Sequence, residues 1–349
     1  SISSLNAPSG YWRLKRLATN NSTMSNVPSA SFIQYNYTNG TSTLGSGNGI
    51  LHGYNPGVIT KNYDYVRSGG SSLGYRANKV YDGGNSTSGV TFGNATVVSS
   101  NGLPSEVSVS LNSPNLTYDS KDFNNNSKTI AAGSSYTISS ATHSRHGTVH
   151  GLSAGTQSIS DARISKKPVN LTGIKTYDGT TTARASELRV NSGLVGSETL
   201  ILSGSGTLNT ANAGTKSITS NALGVSLSDG SNGGLAVNYT LTGGTHQMTV
   251  GQRGVILSGS RLYDSTTTAS SSDFSNITGT VGSETLNITG SGTLGNANVG
   301  SNKSITLGSI ALADGSNGGL AGNYSLSSGT LTVNQRPLTA TLARQYDGT

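Results

Sequence analysis

The segment Lys175-Thr-Tyr-Asp-Gly-Thr-Thr-Thr-Ala183 returns as Arg261-Leu-Tyr-Asp-Ser-Thr-Thr-Thr-Ala269, and Gln345-Tyr-Asp-Gly-Thr349 opens it once more. Tyr177 and Tyr263 are 86 residues apart, and Tyr263 and Tyr346 are 83 apart. Between these marks, Val195-Gly-Ser-Glu-Thr-Leu200 matches 281–286, Gly204-Ser-Gly-Thr-Leu208 matches 290–294, and Asp229-Gly-Ser-Asn-Gly-Gly-Leu-Ala236 matches 314–321. Asn238-Tyr239 matches Asn323-Tyr324. Collinear recurrence at this period means domain-sized tandem units, each touching mainly its neighbours. A more divergent copy opens at Lys79-Val-Tyr-Asp-Gly83 and keeps Ser105-Glu106 and Lys128-Thr-Ile130, but has Thr156-Gln157 where the others have Asn-Tyr. The expected division is a divergent β-rich unit at 1–78, repeats at 79–174, 175–260 and 261–343, and the start of another at 344–349.

Within a repeat, stretches such as Lys216-Ser-Ile-Thr, Gly224-Val-Ser-Leu-Ser and His246-Gln-Met-Thr-Val alternate apolar with polar residues. Period two means half-buried strands, and Gly, Asn, Asp and Ser clusters break them about every 8–12 residues, as in all-β sandwiches and barrels. The expected fold class is therefore all-β, an elongated array of tandem small Ig-like β-sandwich modules. A β-helix or β-grasp module is the alternative.

The polar character comes from Ser, Thr, Asn and Gly: 11% of residues are charged, against about 25% in ordinary globular chains. The net charge of +7 is scattered, with Arg13-Leu14-Lys15-Arg16 and Lys166-Lys167 the only clusters, so no basic stripe for nucleic acid is present. With no cysteine, disulfides and thiolate metal sites are excluded. No apolar run reaches the roughly 20 residues of a membrane span, so no membrane insertion is expected.

Catalysis by paired carboxylates is not expected from 15 acidic residues spread through turns. No catalytic, cofactor-binding or metal-ligating residue is assigned, and no cofactor is expected. His143, His146 and His150 fall in Thr142-His-Ser-Arg-His-Gly-Thr-Val-His150, where Gly147, Thr148 and Val149 disfavour the helix that would gather them; they are read as an exposed hairpin. The Asp-Gly-Ser-Asn-Gly-Gly loops offer one carboxylate each where calcium takes several oxygen ligands, and are read as turns. The repeat signature Tyr81, Asp82, Tyr177, Asp178, Tyr263, Asp264, Tyr346 and Asp347 is read as structural, the Tyr anchoring a strand and the Asp forming a turn. Glu198, Lys216 and Asn238 recur as Glu284, Lys303 and Asn323, residue types able to form a carboxylate-assisted Lys–Asn isopeptide cross-link; turn and strand-edge roles compete with that reading. Trp12 with Arg13, Lys15 and Arg16 is a candidate interface. Asn-x-Ser/Thr sites, among them Asn238 and Asn323, permit glycosylation. Tyr35, Tyr37, Tyr54, Tyr63, Tyr65 and Tyr75 would serve a carbohydrate- or matrix-binding N-terminal unit.

The Tyr-Asp-Gly-Thr-Thr-Thr-Ala, Val-Gly-Ser-Glu-Thr-Leu, Ala-Asn-Ala-Gly-Thr-Lys-Ser-Ile (211–218) and Leu-Ala-Gly-Asn-Tyr-Ser-Leu (320–326) segments resemble YDG-type repeats of filamentous-haemagglutinin-like exoproteins of Gram-negative bacteria. The resemblance covers 175–349 well and 79–174 loosely. It implies an extracellular or cell-surface location and a stalk or fibre that spaces adhesive regions. The implied partners are a host or neighbouring-cell surface, a glycan or matrix, and other copies of the chain. Junctions such as Gln252-Arg253-Gly254 and Gln335-Arg336-Pro337 are expected to mediate contacts.

Overall fold

The structure, a computed structural model, describes residues 13–16, 30–35, 49–52, 54–65, 75–133, 135–156, 158–219, 224–341, 345 and 348. These are β-strands joined by turns, with helical backbone confined to 3₁₀ turns such as Ala236–Asn238 and Ala321–Asn323. The all-β expectation holds. The chain divides into two compact units, one of residues 1–167 with 237–239 and one of 168–236 with 240–349.

In the second unit each repeat is closed by its own ends. The strand Asn170–Thr176 pairs in parallel with Gln247–Gly251, and Arg253–Leu262 pairs in parallel with Tyr324–Asn334. Antiparallel neighbours flank each pair: 188–192 and 214–217 in one repeat, 274–278 and 300–306 in the next, where 291–294 and 268–270 extend the sheet further. The strand before each Tyr-Asp turn therefore belongs to the repeat that the turn opens. Repeat boundaries drawn at 175 and 261 cut through these strands, because the signature residues mark a strand's end and not its start.

One apolar core runs through both repeats of this unit. Leu171, Tyr177, Leu208, Ile218, Met248 and Val250 pack in the same cluster as Val255, Leu286 and Tyr324. A second cluster, with Leu257, Phe274, Leu294, Leu331 and Val333 at its centre, fills the last repeat. Burying a Leu, Ile or Phe side chain contributes about 1.5–3 kcal/mol, so a shared cluster couples the stability of the two repeats.

The first unit repeats the closing device: Ala77–Val80 pairs in parallel with Ser158–Ser165. Strands before position 78 go further and pair in parallel with strands well beyond it, Phe32–Gln34 with Gly147–His150 and Val58–Tyr63 with Ser153–Ala154. Arg13–Arg16 and Gly49–His52 add to the same parallel run. Ile33, Tyr35, Ile50 and Tyr54 share a core with Val107, Ala141 and Val149. The described strands before position 78 therefore share sheets and a core with the divergent repeat.

Candidate functional site

The strand Asn170–Thr176 alternates strictly, and its inward face carries Leu171, Gly173 and Lys175. Ile174 points out, 67% exposed, while Lys175 is 5% exposed. A buried ammonium must be fully paired to persist. Lys175 Nζ donates to Thr180 O (3.1 Å), Thr180 Oγ1 (3.2 Å) and Thr182 O (2.9 Å), and meets Asp178 at 2.8 Å. Lys79 binds Asp82, Gly84 O and Ser86 O at 2.7–3.0 Å in the same way. Arg261 binds Asp264 (3.0 Å), Thr266 and Thr268 O. The cation two residues before each signature tyrosine thus ties down the turn that follows it. Burial alone would raise the Asp82 and Asp178 carboxyls, but the lysine and the turn N–H groups outweigh it and hold both below the ordinary carboxylate value. At Asp264 the Thr266 N–H is the leading cause of the same lowering. These cations are functional residues that the sequence reading missed; the signal was their place at i, i+2 from a core tyrosine, which puts both on one strand face.

The Asp-Gly-Ser-Asn-Gly-Gly loops are self-contained turns. Asn232 and Asn317 adopt left-handed backbone, φ 57° in both, a conformation Asn tolerates better than most residues. Their side-chain amides donate to Ser197 O and Ser283 O, tying each loop to the Val-Gly-Ser-Glu turn of its own repeat. Asp229 Oδ1 accepts from Ala236 N and Asp314 Oδ1 from Ala321 N, both at 2.7 Å. These bonds start the 3₁₀ turns that carry Asn238 and Asn323, each followed by its tyrosine.

The motifs meet in one place. In the second unit, the Tyr177 and Tyr324 rings pack edge to face, centroids 5.4 Å apart at 79°. Glu284 accepts from both phenols, from Tyr177 at 2.8 Å and from Tyr324 at 2.5 Å, and Tyr324 Oη accepts from Val281 N at 3.0 Å. Asn323 is 2% exposed; its Oδ1 accepts from Ala213 N (2.9 Å) and its Nδ2 donates to Asn212 Oδ1 (3.2 Å). One repeat supplies Tyr177, Asn212 and Ala213, and the next supplies Val281, Glu284, Asn323 and Tyr324. Burial, then the bond to Glu284, pushes the Tyr177 phenol up to about 12, and the same two causes raise Tyr324.

The first unit contains the same joint. Tyr81 and Tyr239 pack edge to face at 5.4 Å and 80°. Asn238, fully buried, accepts from Phe123 N (2.7 Å) and donates to Asp122 Oδ1 (2.9 Å). The shared geometry needs an oxygen at position 122 or 212 and any residue with an N–H at the next, which is why Asp-Phe and Asn-Ala both serve.

The candidate cross-link residues go to different partners. Asn323 is bound in the joint, Glu284 holds the two tyrosines, and Lys303 Nζ donates to Asn296 O, Asn296 Oδ1 and Asn298 O at 2.6–2.8 Å. Glu198 is buried, and Lys216 lies in the strand Gly214–Ser217. Asn238 and Asn323, as buried amides, are closed to glycosylation in the folded chain. Tyr346, Asp347 and Trp12 lie outside the described residues, and of Arg13, Lys15 and Arg16 only the backbone strand is described. Tyr263 and Asp264 lie at the end of the last repeat's first strand, Tyr263 37% exposed. Of the junction residues, Gln252 donates to Gly322 O and Arg253 to Gly279 O, while Gln335, Arg336 and Pro337 are exposed.

Of the tyrosines of the first unit, Tyr35, Tyr54 and Tyr63 are core residues, while Tyr65, 47% exposed, and Tyr75 lie against Arg76 and Arg163; Tyr37 is outside the described residues. His143 and His146 are 4% and 0% exposed instead of lying on an open hairpin, with ring centroids 4.6 Å apart. Three or more His, Cys, Asp and Glu able to hold a metal are not gathered anywhere among the described residues. His143 faces Glu106 at 3.4 Å and accepts from Arg145 N. Neither ring nitrogen of His146 has a hydrogen-bond partner. Burial, with His143 and Arg145 nearby and Glu106 opposing, lowers His146 to about 4. A depressed folded value favours the neutral folded form. This contribution is complete above the unfolded value near 6.5 and is lost as pH falls toward 4. Urea midpoints of the first unit will fall over that interval, and His146→Phe will flatten the slope; an unchanged slope would show that His146 does not carry it.

Residues 164–249 and 245–333 each match the YDG domain. Both matches begin before the signature tyrosine, as the strand pairing requires. No curated protein and no solved structure matches the chain.

Proposed function

We propose that this chain is a structural segment of an extracellular bacterial surface protein, in which tandem YDG repeats locked end to end space and present adhesive regions. The observation that carries this reading is the joint itself, built twice around a buried Asn and an edge-to-face Tyr pair, with ring geometries matching to 1°. A linker that only tethers needs no such device, whereas a spacer must resist bending and pulling at every boundary. The weakly charged surface, rich in Ser, Thr, Asn and Gly, suits a segment that stays soluble while presenting partners elsewhere. The resemblance of the repeats to those of filamentous-haemagglutinin-like exoproteins supports the location. Multivalent presentation strengthens weak contacts through effective concentration.

Rotary-shadowed electron microscopy of the purified chain, with antibody labelling of intact producing cells, tests this. Thin, stiff particles and surface label are the expected result. Rounded particles, or label seen only after cell lysis, would overturn it.

A further inference from the structure

The last repeat carries the acceptor half of the joint with none of the described residues seated on it, and we propose that this face, centred on Tyr263, Asn298 and Val299, docks the Glu and Asn-Tyr corner of a further YDG repeat. Tyr263 occupies the position of Tyr81 and Tyr177. Those two are 0% and 3% exposed where a following Asn-Tyr covers them, and Tyr263 is 37% exposed. Asn298 and Val299 align with Asn212 and Ala213 through the shared Ala-Asn-x-Gly of 211–214 and 297–300, and Asp122 and Phe123 play the same part for Asn238. Val299 is 48% exposed.

The face is built in advance. Lys303 Nζ grips Asn296 and Asn298 O, and Asn298 N donates to Asn296 Oδ1, so the loop that would offer Asn298 Oδ1 and Val299 N is already fixed. Arg261 and Asp264 fix the turn beside Tyr263 as Lys175 and Asp178 do beside Tyr177. The occupant is defined by what seats on Tyr177: a carboxylate reaching the phenol, a buried carboxamide that both accepts and donates, and a tyrosine edge. The repeats of this chain that own such a corner already use it: Asn238 and Asn323 are bound in the filled joints. The divergent repeat lacks the Asn-Tyr pair, and its Glu106 faces His143. A second copy of the chain therefore has no free corner to offer, and the occupant is an additional repeat.

One residue weakens the fit. Gly179 has φ 75° beside Val281, and a Cβ there would stand 2.9 Å from Val281 Cγ1. The last repeat has Ser265 at that position, at φ 63°. Glycine adopts this backbone without the penalty serine incurs, so Ser265→Gly should relax the turn and tighten docking together.

The absence of cysteine makes labelling clean. The full chain carrying Val299→Cys is compared with the same chain extended, after Arg336, by a copy of residues 254–334. Maleimide labelling of the cysteine should slow at least tenfold in the extended chain, slow further with Ser265→Gly, and return to the fast rate when the copied Asn323 and Tyr324 are replaced by alanine. If the appended copy fails to fold by protease resistance, a copy of 170–251 replaces it. Equal labelling rates with a folded appended repeat, both with and without the Ser265→Gly substitution, would overturn the proposal. The test depends on the joint geometry alone and is indifferent to cellular location, so its failure leaves the surface role to be judged separately.

Discussion

Tyr324→Ala destabilises the second unit by about 3–5 kcal/mol, the range for truncating a buried aromatic. The ring is 2% exposed and belongs to the core cluster that spans both repeats. Its removal also strips Tyr177 of an edge-to-face partner, worth about 0.5–1.5 kcal/mol beyond burial, and leaves Glu284 with one phenol fewer. Because the core is shared, the loss registers in both repeats. Hydrogen exchange read by mass spectrometry should speed up in Asn170–Thr176 as well as in Tyr324–Asn334. Tyr324→Phe keeps the ring and loses only the hydroxyl's bonds, so it should cost about 1–2 kcal/mol. Faster exchange confined to residues 253–334 would mean that the repeats are independent beads.

Lys175→Met removes a buried cation while keeping most of its stem, and about 2–3 kcal/mol of stability goes with it. Breaking a fully buried charge pair costs about 3–5 kcal/mol, but the Asp178 side chain is 31% exposed and water takes over part of its pairing. The larger loss is at Thr180 O and Thr182 O, which Lys175 alone supplies with side-chain donors in this turn. Since that turn delivers Tyr177 to the joint, the substitution should also speed exchange around Asn323. Urea denaturation together with that exchange measurement checks both parts. A variant as stable as the parent would show that the turn holds its shape without the cation.

The period-two pattern, the turns and the repeat were legible because each depends on neighbours in sequence. The phase of the key strands was not. In Asn-Leu-Thr-Gly-Ile-Lys-Thr (170–176) hydropathy alone turns Ile174 inward and Lys175 outward, and the structure has the reverse. The register follows Tyr177, whose partner lies 147 residues away at Tyr324. Glu284, Asn323 and the signature tyrosines were singled out one by one as recurring, and their convergence was not visible because the joint takes its halves from different repeats. The buried histidines follow the same rule: 142–150 looks like a polar hairpin until the strand Phe32–Gln34, more than 100 residues earlier, pairs alongside Gly147–His150. The parallel pairing of first and last strands likewise rests on contacts some 75 residues apart, for which local alternation carries no signal.

If the repeats are locked and not merely adjacent, energies on the two sides of the joint must be coupled. A double-mutant cycle between Tyr177→Phe and Glu284→Gln, residues 107 apart in sequence and 2.8 Å apart in the fold, measures that coupling directly. The expected interaction energy is about 1–2 kcal/mol, since a hydrogen bond to a charged group is worth about 1.5–3 kcal/mol and each single substitution already removes most of it. Additivity within about 0.3–0.5 kcal/mol, the behaviour of independent sites, would contradict the joint.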